Sequence, residues 1–227
     1  MRAALLALVL LGAGCASRPP WPPDADAALA AIEARMLAAP TARVDYRVTA
    51  DGAFAAEFEG TLGLGVRGRT LLVGNGSFGG VPQRLLLTAE DDTMRGLLAD
   101  SVAFGTSTPP ALREALLLGL TRMGLLHNLA RLTAGRSPDH AEAGVEGWIE
   151  AFDAAWGPTE EIAGRKAKAL TFTLRVAGTD AADVTLWLDA ATGWPAGRDQ
   201  TVAFPGGTMT VTERYGVWSL REAPFPN

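Results

Sequence analysis

Residues 54–66 read Phe54-Ala-Ala-Glu-Phe58-Glu-Gly-Thr-Leu62-Gly-Leu64-Gly-Val66. Phe54, Ala56, Phe58, Leu62, Leu64 and Val66 fall on even positions, and Glu57, Glu59 and Thr61 on odd ones. Successive side chains of a strand point to opposite faces, so this period of two predicts a sheet with one dry and one wet face. The alternation returns in Leu170, Phe172, Leu174 and Val176, and again in Val184, Leu186 and Leu188. Shorter β-rich runs lie at 43–49, 70–74, 83–89, 93–98, 197–204 and 208–219. Between them stand turn-forming residues: Arg67-Gly68, Asn75-Gly76, Gly79-Gly80, Asp91-Asp92, the run 189–195 and Gly206-Gly207.

Helical spacing brackets the first β region. Ala28, Leu29, Ile32, Met36 and Leu37 recur at three- and four-residue steps. They predict a helix over 27–39, capped by Asp24 or Asp26 and ended at Pro40. Pro109-Pro110 opens a second helix from Ala111 to about Ala134, closed by Gly135. On a wheel of 100° per residue its polar side holds Arg113, Glu114, Thr121, Asn128 and Arg131. A shorter helix is expected over 142–155, carrying Trp148 and Phe152 with Trp156 just beyond. Runs of strands beside a segregated helical block at 109–156 predict an α+β fold with antiparallel strands.

The amino terminus carries an address. Arg2 precedes an apolar run from Ala3 to Leu11, and Gly12-Ala13-Gly14 leads to Cys15, the only cysteine of the chain. The run is too short for the ~20 residues of a membrane-spanning helix and fits a signal peptide over 1–14. Small residues followed by Cys resemble the bacterial lipoprotein lipobox. That resemblance implies a lipid on the Cys15 thiol, cleavage before it, and a membrane-anchored envelope protein. No Asp follows Cys15, which points to the outer membrane facing the periplasm. Residues 15–26 are proline-rich and predict an extended tether, leaving 27–227 as a single domain. A net charge of −5 argues against a nucleic-acid partner, which needs a basic surface for phosphates. With 48 % hydrophobic residues the chain is no disordered segment.

Three stretches resemble the LolA/LolB-like superfamily of lipoprotein carriers and receptors. They are the entry helix and first strand at 27–49, the segment Glu160-Glu-Ile-Ala-Gly-Arg-Lys-Ala-Lys-Ala-Leu-Thr-Phe172, and Trp187-Leu-Asp-Ala-Ala-Thr-Gly-Trp-Pro195. The resemblance implies a curved, incomplete antiparallel barrel, a half-barrel, with helices packed against its concave side. It also implies a hydrophobic ligand, either a lipid or an acylated lipoprotein.

Enzyme constellations are scarce. His127 and His140 are the only histidines, with no spacing for a zinc site, and no nucleophile elbow is present. His127 is expected to be a solvated helix residue. Neither an enzymatic activity nor a cofactor or metal is expected. Asp91-Asp92 and Glu160-Glu161 are read as turn or edge charges that discourage strand aggregation. If sheet and helices leave a cavity, Phe54, Phe58, Leu62, Leu116, Leu120, Met123, Trp148 and Phe172 are the candidate lining; the same alternation also serves a packed core. Arg122 falls among leucines on the wheel and needs an acceptor, such as a lipid headgroup or a carboxylate of a neighbouring strand. The alternative function is a structural or assembly lipoprotein that docks proteins on the half-barrel.

Overall fold

The computed structural model describes residues 21–99, 101–136, 149–204 and 206–220. Cys15, His140, Trp148 and the signal peptide lie outside the described residues. Helix α1 (Ala25–Ala38) starts where Asp24 accepts the Ala27 amide at 2.8 Å, satisfying one of the free N–H groups of its first turn. Six strands follow: β1 (Ala42–Gly52), β2 (Ala56–Leu64), β3 (Thr70–Phe78), β4 (Val81–Glu90), β5 (Thr93–Leu98) and β6 (Ser101–Ser107). Helices α2 (Leu112–Leu118) and α3 (Leu125–Thr133) come next. Then come β7 (Ile149–Ile162), β8 (Arg165–Val176), β9 (Thr179–Asp189), β10 (Pro195–Phe204) and β11 (Gly207–Tyr215).

The strands form one antiparallel sheet in the order β6-β5-β4-β3-β2-β1-β11-β10-β9-β8-β7. Each half is a meander of hairpins, and pairing of β1 with β11 joins the halves. The edges β6 and β7 do not pair, so the barrel stays incomplete, as the α+β half-barrel expectation required. The dry face carries Val44, Tyr46, Val48, Phe58, Leu72, Leu87, Leu170 and Leu186, which pack with Leu116, Leu120 and Leu129 of the helical segment. A row of small residues makes room there. Tyr46 pairs with Gly60, and Gly60 with Gly74. A Cβ on Gly60 would stand 2.9 Å from the Tyr46 hydroxyl, so the two glycines form the slot that the phenol fills. That hydroxyl donates to the Val73 carbonyl at 2.6 Å.

Four expectations need correction. The 111–134 helix is broken: α2 runs into a π-type turn at Gly119–Met123, and Gly124 then adopts φ +88° before α3 begins. The wheel phase resets there, so Thr121 and Asn128, assigned to the polar side, are buried. The part of the expected 142–155 helix that is described belongs to strand β7. Its Phe152 and Trp156 are four residues apart, which imitates a helical step. Irregularities after Phe152 and after Trp156 each insert a residue into β7, and these hide the period of two. Asn75-Gly76 is not a turn but lies inside β3, where Gly76 sits too close to the β2 backbone for any side chain. Strand β6 was not foreseen: it is an edge, mostly exposed, and shows no alternation. Its Phe104 ring covers the bare Gly96 of β5. The paired acids sit as expected, Asp91-Asp92 in the β4–β5 turn and Glu160-Glu161 on edge strand β7.

Candidate functional site

A cavity of about 520 Å³ opens between α3 and the dry face of the sheet. Leu126, Ala130 and His127 of α3 roof it together with Met123. Phe54, Phe78 and Ala50 border it from β1–β3, and Leu174, Val176, Val202, Met209 and Val211 from β8, β10 and β11. Its polar lining among the described residues is limited to His127 and Gln200. A volume in the several-hundred Å³ range with apolar walls and few polar groups is the usual form of a small-molecule site. The expected solvated position of His127 is corrected: it is half-buried and faces the cavity, because the helix break turns α3.

Of the residues nominated from sequence, Phe54 and Met123 line this cavity. Phe54 stands at its rim, 44 % exposed, with its ring 4.6 Å from that of Phe78. Phe58, Leu62, Leu116, Leu120 and Phe172 are buried in the packed core instead. Phe58, Leu62 and Phe172 lie on the dry face, and Leu116 and Leu120 on the helical segment that packs against it.

Arg122 meets a carboxylate, but on a helix and not on a strand. Its Nε donates to Glu33 Oε1 at 2.8 Å and its Nη2 to Oε2 at 2.7 Å, while Nη1 donates to the Ile149 carbonyl at 2.8 Å. Thr121 places its hydroxyl 2.8 Å from the same Glu33 Oε1. This bidentate pair ties α1, the π-type turn and β7 together in a largely buried setting. The guanidinium is thereby committed to protein acceptors, not presented to a headgroup. Arg113, expected on the wet side, donates to the carbonyls of Ala39 and Gly65, and burial pulls its pKa down.

Sequence reasoning missed a second buried polar group, which lies outside the cavity lining. Arg198 of β10 pairs across the ladder with Glu213 of β11, and both are fully buried. Glu213 Oε1 accepts the Leu126 amide at 3.2 Å, at the positive end of α3, and Oε2 accepts the Tyr215 hydroxyl. Arg198 donates to the Arg122 carbonyl. Burial lowers the pKa of Arg198, and the nearby Glu213 charge opposes that. Burial and Glu213 both hold Tyr215 in its neutral form, well above the ordinary phenol range. Gly124 passes directly over the pair: a Cβ there would lie 2.5 Å from Glu213 Oε1 and 2.7 Å from Arg198 Nη1. The positive φ and the missing side chain at Gly124 thus let the helix break sit down on two charges. The signal was available: Met209, Val211, Glu213 and Tyr215 alternate, which puts Glu213 on the dry face. Among the described residues no group of three His, Cys, Asp or Glu side chains is placed to hold a metal. No described helix is long and apolar enough to cross a membrane.

No protein-family model matches the chain, and no curated protein does. Solved structures do match. LprF from Mycobacterium bovis aligns over 92 % of this chain and 98 % of its own, with a TM-score of 0.53 at 14 % identity. MucB aligns over 90 % of this chain with a TM-score of 0.45 at 18 % identity, and this chain covers 62 % of the MucB chain. The LolA superfamily protein NE2245 from Nitrosomonas europaea aligns over 86 % of this chain and 93 % of its own, with a TM-score of 0.37 at 12 % identity. The chain shares its overall fold with LprF, and that fold is the incomplete antiparallel barrel with helices that the sequence resemblance implied.

Proposed function

We propose that this protein is a lipid-anchored carrier or receptor of the cell envelope, without enzymatic activity, that holds the acyl chain of a lipid or lipoprotein. The observation that carries the reading is the apolar cavity of about 520 Å³ under α3, with only His127 and Gln200 as polar lining among the described residues. An acyl chain gains about 0.8 kcal/mol for each methylene it removes from water, and it needs no hydrogen-bond partners along its length. Met123 and Met209 are unbranched and adapt to chains of different shape. Release then needs an acceptor with a larger or drier site. The anchor is the lipid on Cys15, at the outer membrane facing the periplasm.

Native mass spectrometry of detergent-free protein taken from its own envelope tests the ligand. A co-purifying lipid mass, together with saturable uptake of a fluorescent fatty acid, is expected. Absence of both refutes the carrier reading. Metabolic labelling with palmitate, present in the wild type and lost in Cys15→Ser, tests the anchor separately.

A further inference from the structure

One polar side chain on the dry face has no place in the packing. Strand β10 alternates, and it turns Arg198, Gln200 and Val202 to the same side. Gln200 lines the cavity with only 7 % of its surface exposed, and its side-chain amide makes no hydrogen bond with any described residue. His127, the other polar residue of the lining, has an interaction within the protein. The ladder fixes where the Gln200 amide sits. Gln200 pairs with Val211, Val211 with Ala50 and Ala50 with Ala56, and all four line the cavity in one row across the sheet. The next lining pair toward the hairpin tips, Val202 with Met209, stands one step of about 7 Å away. Phe54, two residues nearer its tip than Ala56, marks the rim. Gln200 therefore stands behind the rim, in a wall that is otherwise apolar at that row.

A glutamine amide offers both donors and acceptors. Left unmatched in an apolar wall it opposes folding, and leucine would fill the same space without that cost. A plain hydrocarbon segment passing Gln200 leaves the amide unmatched. An ester carbonyl accepts a hydrogen bond and donates none, so it matches half of it. A hydroxyl or an amide does both. Among the described residues no Lys, Arg, Asp or Glu lines the cavity, so the matching group is uncharged. We propose that Gln200 is a specificity-determining residue, and that the ligand is an acyl compound with an uncharged hydroxyl or amide seated beside it. An apolar wall alone separates such compounds poorly, whereas a buried group built to pair with an O–H or N–H rejects the analogue that lacks it. The proposal rests on the carrier reading above and narrows its ligand from any acyl chain to one that carries this group.

The test uses the full chain, purified free of detergent and lipid. Three uncharged compounds of one chain length, a methyl ester, a primary amide and a primary alcohol, compete with a fluorescent fatty acid. The amide, the alcohol or both should bind about tenfold more tightly than the ester. Apolar burial alone gives the opposite order, because the amide and the alcohol lose more hydration on entry. In Gln200→Leu the advantage should vanish, while affinity for the ester holds or rises. The compound that shows the advantage identifies the group. An ester that binds the wild type as tightly as the other two overturns the proposal, and that comparison needs no variant. So does an advantage that survives in Gln200→Leu. Urea unfolding of Gln200→Leu should show equal or greater stability than wild type; a variant that is strongly destabilised or does not fold means that the amide serves the packing, and overturns the proposal as well. Equal affinities for the three compounds leave the carrier reading standing, whereas no uptake of the probe and no binding of any compound removes both.

Discussion

Ala130→Trp is the sharpest probe of the cavity. Ala130 lies on α3 in the cavity roof, and its side chain is a single methyl. Tryptophan adds about nine heavy atoms, displacing a comparable length of acyl chain; at roughly 0.8 kcal/mol per methylene the lost burial is at most about 7 kcal/mol. A chain in about 520 Å³ has room to shift aside, so only part of that is lost. The expected loss is about half, 3 to 4 kcal/mol, or a few hundred-fold in Kd. Because the indole fills space that is open in the free protein, folding stability should stay within ~1 kcal/mol of wild type. Titration with a fluorescent fatty acid gives the first number, and urea unfolding followed by circular dichroism gives the second. Unchanged affinity in a protein of normal stability refutes the assignment of the cavity as the site. A large loss of stability means that the space is not open, and refutes the geometry itself.

Glu33→Gln leaves Arg122 half-buried with a weakened partner and should cost about 3 kcal/mol in urea unfolding; Glu33→Leu with Arg122→Met together should recover most of it, and an equal or greater loss in the double variant refutes the pairing. Gly124→Ala forces a side chain against Glu213 and Arg198 at φ +88° and should cost about 2 kcal/mol or more. Gly119→Ala, at φ −53° with its nearest neighbour 3.4 Å away, should be neutral or slightly stabilising; the reverse order of the two variants contradicts the helix break. Tyr46 and Tyr215 both have folded pKa values raised above the ordinary 10. Their contribution is complete below that pH and is lost as pH rises above it, because the unfolded chain releases the protons first. Stability should therefore fall above pH 10 by up to about 1.4 kcal/mol per pH unit for each phenol. Tyr46→Phe should flatten that decline, and a parallel curve counts against it.

How far the sequence carried the fold is visible in particular elements. The alternation at 56–64, 170–176 and 184–188 placed those strands and their dry faces, because a period of two is local and a buried face enforces it. Pro40, Asp24, Gly79-Gly80 and Asp91-Asp92 marked true ends and turns, because backbone restriction at such residues is also local. Strand β7 escaped because its bulges answer to β8, and no local pattern encodes a partner's register. The cavity was half-legible for a related reason. Phe54 and Phe58 look equivalent along the chain, yet one stands at the rim of a cavity and the other is sealed in the core.

The sequence by itself determined the α+β class, the antiparallel strands and the apolar face, since these follow from steric limits and hydrophobic periodicity within a few residues. Only the tertiary structure decided where the long helix breaks, that Arg122 meets Glu33 from α1, and that Arg198 and Glu213 lie beneath Gly124. Each of those joins segments tens of residues apart, and their energies come from desolvation and packing that exist only once the sheet and the helices have met.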